Sequence, residues 1–249
     1  MSFQEYRPGG FAILPPVVKN LLIINVLCFL GSITFGQVLN DKLGLHYFLA
    51  EEFSPFQFVS YMFMHGGFTH LLFNMFALWM FGNALENYWG GKRFLTYYMI
   101  TGIGAGVLQM LVVHFRLMSV EPLISAEALE FAIVHGFDLI QGGSGPAEFV
   151  QDPNFVDAVI LIHTTTVGAS GAVFGLLLAF GMLFPNSMIY LYFAIPIKAK
   201  YFVILYGVLE LYSGIQNNAG DNVAHFAHLG GMLFGFFLIK YWKRNPGKF

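Results

Sequence analysis

Long apolar runs separated by short polar segments dominate this chain. A helix needs about 20 mostly apolar residues to cross the hydrocarbon core of a bilayer. Windows of about that length predict six membrane-spanning helices, at residues 17–36, 67–86, 94–115, 164–184, 199–215 and 223–242. The apolar segment 187–197 precedes the fifth window and could extend it. The pattern therefore predicts an all-α membrane protein with six transmembrane helices.

Composition supports a membrane location. Hydrophobic residues make up 57% of the chain and charged residues only 10%, whereas soluble domains carry about 25% charged residues. The first apolar run has no small-residue cleavage site, so we interpret it as a retained span and not a signal peptide. The single cysteine, Cys28, excludes an internal disulfide and a cysteine-based metal cluster. No basic patch of the kind that binds nucleic acid is present.

The basic residues predict the orientation, because cytoplasmic loops carry most Lys and Arg. With the N-terminus inside, only Lys42 and Arg116 of the 12 basic residues lie outside. Acidic residues show the reverse distribution, with only Glu5 and Glu86 inside. We therefore predict that both the N- and C-termini are cytoplasmic.

Two predicted outer segments are long. Residues 37–66, here called the first loop, are rich in aromatic residues, which favour the membrane interface. Residues 117–163 are acidic, and within them 121–135 fits one amphipathic helix. The predicted organisation is a cytoplasmic N-terminal segment, a six-helix domain containing both outer segments, and a cytoplasmic C-terminal tail, at residues 1–16, 17–242 and 243–249.

Four polar side chains occur at a similar predicted depth. Counted from the outer ends of their spans, Ser170 lies about six residues in, His228 about seven, and His70 and Asn74 three to seven. At about 1.5 Å per residue, these positions correspond to depths of roughly 5–10 Å. Polar groups inside a membrane are costly and mark candidate functional sites.

Glycine spacing gives these spans a way to meet. Gly171 and Gly175 are four residues apart on the fourth span, as are Gly231 and Gly235 on the sixth. Such pairs let helix backbones approach closely, so we expect the fourth and sixth spans to pack through them. That packing would bring the His228 imidazole to the Ser170 hydroxyl.

The chemistry of this group is that of a serine nucleophile. A histidine within about 3 Å can take the hydroxyl proton, and His70 and Asn74, at i and i+4, can donate hydrogen bonds to an oxyanion. The Ser170 backbone N–H is a further donor. Since no acidic residue lies at this depth on these spans, we predict a Ser–His dyad and not a triad.

Three motifs resemble the rhomboid intramembrane serine proteases. They are Gly168-Ala169-Ser170-Gly171, His70-x-x-x-Asn74 and His228-x-x-Gly231-x-x-x-Gly235, in this topology and covering all six spans. Glu86-x-x-x-Gly90, with Phe94 beyond it, is similar to the turn between spans two and three of that family. His65, five residues before His70, also fits the family pattern.

The resemblance implies a rhomboid fold with a water-filled cavity that opens outward. It implies Ser170 as nucleophile, His228 as general base, and an oxyanion hole from His70, Asn74 and the Ser170 amide. Gly168, Gly171, Phe174, Gly231 and Gly235 would support the site, and His65 and Glu86 would be structural. Phe174 stands where some members have tyrosine, so it can stack on His228 but lacks a hydroxyl.

The implied activity is cleavage of single-pass membrane proteins in or near the bilayer, with no cofactor. We expect His65 to donate or accept hydrogen bonds for the first loop, and Glu86 to cap the turn that follows it. His225 and His228 have metal-ligand spacing, but without an acid or third histidine we predict no metal site. Glu210 would be a proton-relay group in a transporter, or would face the cavity or a neighbouring helix.

Two other functions remain open at this stage. One is a non-catalytic rhomboid-like protein that binds membrane clients, and the more distant one is a transporter. Glycine-flanked serine is also common as packing material in membrane helices. We expect a bacterial inner membrane location with the active site on the outer side; the oligomeric state is not predicted.

Overall fold

The computed structural model describes residues 12–191, 194–216 and 223–245, and helices make up most of these ranges. The first half contains α1 (Pro16–Phe35), α2 (Gln37–Leu43), α3 (Gln57–Ser60), α4 (Phe68–Trp89) and α5 (Gly91–Val120), with a 3₁₀ turn at Tyr61–Phe63. A second 3₁₀ turn at Glu121–Leu123 precedes α6 (Ala126–Ile140), α7 (Ala147–Val150), α8 (Pro153–His163) and α9 (Ser170–Leu183). A hairpin of β1 (Met188–Leu191) and β2 (Ile195–Lys198) then leads to α10 (Ala199–Gln216) and α11 (His225–Arg244).

Each of the six predicted spans corresponds to a helix, but among the described residues only three helices are long and apolar enough to cross a membrane. Those three are Pro16–Phe35, Phe68–Trp89 and Gly91–Leu123. The fourth, α9, is apolar but has only 14 residues. The six-helix crossing and the cytoplasmic termini therefore stay predictions, while the long apolar helices agree with an integral membrane protein.

Close contacts of α5, α9 and α11 form the centre of the fold. The predicted packing had the glycine pairs of α9 and α11 meet only each other. In the structure, some of these glycines contact the other helix of the pair and others contact α5. A side-chain carbon at Gly231 would lie 2.7 Å from the Gly171 carbonyl carbon, so α9 and α11 touch there. Gly175 instead makes room for Thr101 of α5, and Gly235 for Tyr97 of the same helix. The prediction missed that α5 lies against both helices.

The acidic segment 117–163 is a folded helical unit. Its long helix begins at Ala126, where the Ser125 hydroxyl accepts a hydrogen bond from the Ala128 N–H at 3.1 Å, so the prediction of 121–135 was five residues early. α6 packs on α8, and the His163 ring donates to the Ala132 carbonyl at 2.8 Å. Residues of this unit form a hydrophobic cluster with Tyr47 of the first loop.

The apolar stretch before α10 is the β1–β2 hairpin and not an extension of the fifth helix. Met188 pairs with Lys198 and Leu191 with Ile195 in an antiparallel register. β-branched and aromatic residues favour strands, and Pro196 cannot continue a helix. Apolar composition alone did not separate these two outcomes.

Glu86, near the end of α4, connects that helix to the start of α1. Its carboxylate accepts hydrogen bonds from the Val17 N–H at 3.0 Å and the Val18 N–H at 2.8 Å. These are donors at the start of α1 that lack a partner inside the helix. The structural role of Glu86 is thus a cap on α1, and the expected cap on the following turn is wrong.

Candidate active site

Ser170 and His228 meet between α9 and α11. The distance from Ser170 Oγ to His228 Nε2 is 2.9 Å, which is within hydrogen-bond range. The close approach at Gly231, one turn along α11, sets this distance because the two backbones touch there. Three sequence predictions therefore meet in space: the serine, the histidine and the glycine that lets the helices approach.

Ser170 is the first residue of α9. The predicted span began at Thr164, which would have placed the serine well inside a helix, and that prediction is wrong. Thr166 pairs with Leu45 in an isolated β-bridge, and Gly168 has φ +130, which breaks helical geometry. The first N–H groups of a helix have no internal acceptor. The Ser170 N–H is therefore uncovered because a helix starts there, and not because glycines flank it.

The Phe174 ring covers one face of the His228 imidazole. The two ring centroids are 4.1 Å apart with an interplanar angle of 6°, a parallel stack. Tyr206 of α10 stacks on Phe174 at 5.2 Å. This column restrains the imidazole plane without supplying a hydroxyl at the position of Phe174.

His70 and Gly168 lie against each other beside the serine. A side-chain carbon at Gly168 would lie 2.8 Å from His70 Nε2 and 3.5 Å from Ser170 Oγ. The α4 imidazole and the α9 hydroxyl therefore flank the same glycine. Asn74 is buried, and its amide nitrogen donates to the His70 carbonyl at 3.0 Å. This bond uses one of the two N–H groups of the amide.

His65 packs on the edge of His70, with ring centroids 5.1 Å apart. Both of its ring nitrogens are buried, and neither has a hydrogen-bond partner in the part of the chain that the structure describes. The hydrogen bonds expected between His65 and residues 37–66 therefore stay a prediction, while the ring packs against His70.

An acidic residue does lie at the site. Glu210 Oε2 is 2.8 Å from His228 Nδ1 and 2.7 Å from His225 Nδ1. The predicted dyad considered only the spans that carry Ser170, His228, His70 and Asn74, whereas Glu210 reaches His228 from α10. The sequence left open whether Glu210 faces the cavity or a neighbouring helix. In the structure it faces the neighbouring helix α11. Burial of a lone carboxylate in an apolar helix was the signal that could have found it.

The same three side chains also change the premise of the metal prediction. Potential ligand atoms of Glu210, His225 and His228 lie within 4.8 Å of one another. The acid that the His225-x-x-His228 spacing lacked is therefore present. Among the described residues, these three side chains form the group of His and acidic residues whose ligand atoms lie close enough together to hold one metal ion.

Comparison with known proteins identifies the family of this chain. The Rhomboid domain family matches residues 52–245. The chain is similar to RHOMBOID-like protein 12, mitochondrial, of Arabidopsis thaliana, with 26% identity over 86% of this chain and 55% of that protein. RHOMBOID-like protein 5 of the same plant is 32% identical over 79% of this chain and 47% of that protein. This chain spans about half the length of these two relatives.

A bacterial relative carries the name of an enzyme. Rhomboid protease AarA of Providencia stuartii is 25% identical over 86% of this chain and 68% of that protein. The domain match covers α4 through α11, and so it includes all the residues that meet around Ser170. With that match over most of its length, the chain belongs to the rhomboid family of integral membrane proteins.

Proposed function

We propose that this protein is an intramembrane serine endopeptidase. The observation that carries the proposal is the 2.9 Å contact between Ser170 Oγ and His228 Nε2. A hydroxyl becomes an effective nucleophile when a base within hydrogen-bond reach takes its proton. Proteins named rhomboid proteases among the relatives support the same reaction class.

The reaction follows from this pair. Ser170 Oγ attacks the carbonyl carbon of the scissile peptide bond while His228 Nε2 takes the hydroxyl proton. The carbonyl π electrons move to oxygen and form a tetrahedral oxyanion. Collapse of this intermediate breaks the C–N bond, and the imidazolium gives its proton to the leaving amine. Water then repeats the sequence on the acyl-enzyme and releases the second product.

Donors around Ser170 suit the oxyanion. The Ser170 N–H opens α9, where the helix dipole favours negative charge. The His70 ring lies across Gly168 from the hydroxyl, and the second N–H of Asn74 completes the proposed oxyanion hole. Preorganised donors of this kind contribute several kcal/mol to acyl transfer, and removal of one costs about 10²–10³ in kcat.

Substrates in this proposal are single-pass membrane proteins cut in or near the bilayer. The distribution of Lys and Arg supports cytoplasmic termini, with Ser170 toward the outer face. We propose the bacterial inner membrane as the location. The catalytic chemistry needs only side chains and water, so the proposal includes no cofactor.

The Ser170→Ala variant tests the nucleophile directly. We expect it to lose cleavage of a model single-pass substrate and labelling by a fluorophosphonate probe, while its Tm in detergent stays that of wild type. His228→Ala should slow labelling strongly, because it removes the base. Ser32→Ala is a matched control, since the Ser32 hydroxyl bonds to Cys28 of α1 and Asn40 of α2, away from Ser170 and His228.

Two results would contradict the proposal. Undiminished cleavage by Ser170→Ala would show that another group is the nucleophile. A folded wild-type protein that neither cleaves the substrate nor reacts with the probe would favour a non-catalytic rhomboid-like protein that binds membrane clients.

A further inference from the structure

Glu210 is a buried carboxylate at a helix contact where apolar residues would be expected. It lies in α10, is 8% exposed, and faces α11. Its Oε2 contacts Nδ1 of both His225 and His228, at 2.7 and 2.8 Å. An ionisable group inside a membrane protein is costly to bury and persists where it has a partner and a function.

These contacts decide which His228 nitrogen carries the proton. An ionised carboxylate can only accept hydrogen bonds, so the nitrogen that faces it at 2.8 Å must be the protonated one. In the neutral ring, Nδ1–H then leaves Nε2 with its lone pair. Nε2 is the atom 2.9 Å from Ser170 Oγ. The carboxylate therefore selects the tautomer that can act as a base.

The same carboxylate also faces the charge that develops during reaction. When Nε2 takes the serine proton, the ring becomes an imidazolium whose Nδ1–H still points at Glu210 Oε2. The two opposite charges are then in hydrogen-bond contact between two buried side chains, where electrostatic attraction is stronger than in water. His225, three residues before His228 on α11, donates to the same oxygen and holds the carboxylate in place.

We propose that Glu210 is a positioning residue that turns the Ser170–His228 pair into a Ser–His–Glu triad. This inference rests on the proposed protease function. Glu210 stays ionised throughout, and no proton passes to it. It orients the imidazole, fixes its tautomer and stabilises the imidazolium, while the proton moves from Ser170 Oγ to His228 Nε2 and then to the leaving amine.

The short contacts favour hydrogen bonds over a shared metal ion. Tetrahedral zinc with ligands at about 2.0–2.2 Å holds its ligand atoms about 3.3 Å apart. Here the carboxylate oxygen is only 2.7 and 2.8 Å from the two ring nitrogens. Hydrogens, and not an ion, fit between these atoms, so incubation with EDTA should leave activity unchanged.

The first test separates kcat from KM in the purified full-length chain. Glu210→Gln keeps the shape of the side chain but removes its charge and replaces one accepting oxygen by a donating NH₂ group. We therefore expect kcat to fall about 10- to 100-fold with KM little changed. Glu210→Asp keeps the charge and should recover much of the loss. The matched control is Glu86→Gln, a buried carboxylate on α4 that caps α1. It should lower the Tm and leave kcat close to wild type.

The second test asks whether Glu210 acts through His228. In a His228→Ala background, adding Glu210→Gln should not slow fluorophosphonate labelling further, because the partner of the carboxylate is already gone. A purely structural role would add its own loss in that background.

Four outcomes would overturn the role of Glu210. They are a kcat of Glu210→Gln within about 3-fold of wild type, an equal loss of kcat in Glu86→Gln, a further loss in the double variant, and inactivation by EDTA. If Ser170→Ala still cleaves, the protease proposal itself fails. If Ser170→Ala is inactive and Glu210→Gln has wild-type kcat, only the triad fails.

Discussion

One methyl group added at Gly231 should move α9 away from α11, and so move Ser170 away from His228. The new Cβ of Gly231→Ala would lie 2.7 Å from the Gly171 carbonyl carbon and closer still to its oxygen. Optimal contact between carbon atoms is about 3.5–4.0 Å, so α9 and α11 must move apart by about 1 Å. Neither backbone can yield locally, because both atoms belong to regular helices.

The shift acts directly on the proposed nucleophile and base. The His228 Nε2 to Ser170 Oγ distance of 2.9 Å would grow to about 4 Å, which is beyond hydrogen-bond range. A misplacement of about 1 Å can cost about 10²-fold in rate. Overpacking also costs about 1–3 kcal/mol of stability, so we expect the Tm to fall by several degrees.

The assay is the rate of fluorophosphonate labelling in detergent, measured together with Tm. Gly207→Ala is the matched control, since its Cβ would meet only the flexible Met232 end at 3.4 Å. We expect the control to label and melt as wild type does. A Gly231→Ala protein with wild-type labelling and Tm would refute the argument that this contact sets the distance between Ser170 and His228.

Three further predictions follow from other contacts. Phe174→Ala removes the ring stacked on His228 and should lower kcat about 10-fold, whereas Phe174→Tyr keeps the stack and should stay near wild type; equal kcat values would contradict this. Glu86→Gln removes the charge that caps α1 and should cost about 1–3 kcal/mol, seen as a lower Tm. Burial, together with the neighbouring His70, lowers the pKa of His65 to about 4. Stability should therefore be complete above about pH 6.5 and fall toward pH 4 by up to about 3 kcal/mol, and a flat Tm across this range would contradict the assignment.

Sequence patterns predicted the parts of the site that depend on periodicity and depth. Ser170, His228 and His70 converge as expected, because residues at matching distances from the ends of neighbouring antiparallel or parallel helices fall in one layer. Apolar length fixed where each long helix lies to within a few residues. These features follow from the 1.5 Å rise of a helix and from the cost of burying polar groups.

Other features depend on contacts that no local pattern contains. Glu210 was expected to face the cavity or a neighbouring helix, but its partner depends on the rotation of α10 about its own axis, which packing decides. The start of α9 at Ser170 depends on the bridge from Thr166 to Leu45, two residues far apart in sequence. Glycine spacing indicated close contacts but not which neighbour each glycine meets, so the role of α5 was missed.

The Glu86 cap also has a consequence for the order of synthesis. Val18 emerges from the ribosome 68 residues before the carboxylate that will accept its N–H. Until α4 has been made and inserted, the first turn of α1 has no protein partner for these donors, and water must satisfy them. We therefore expect the first turn of α1 to reach its final hydrogen bonding only after α4 has been inserted, so that pairing of α1 with α4 is a step in the biogenesis of the protein.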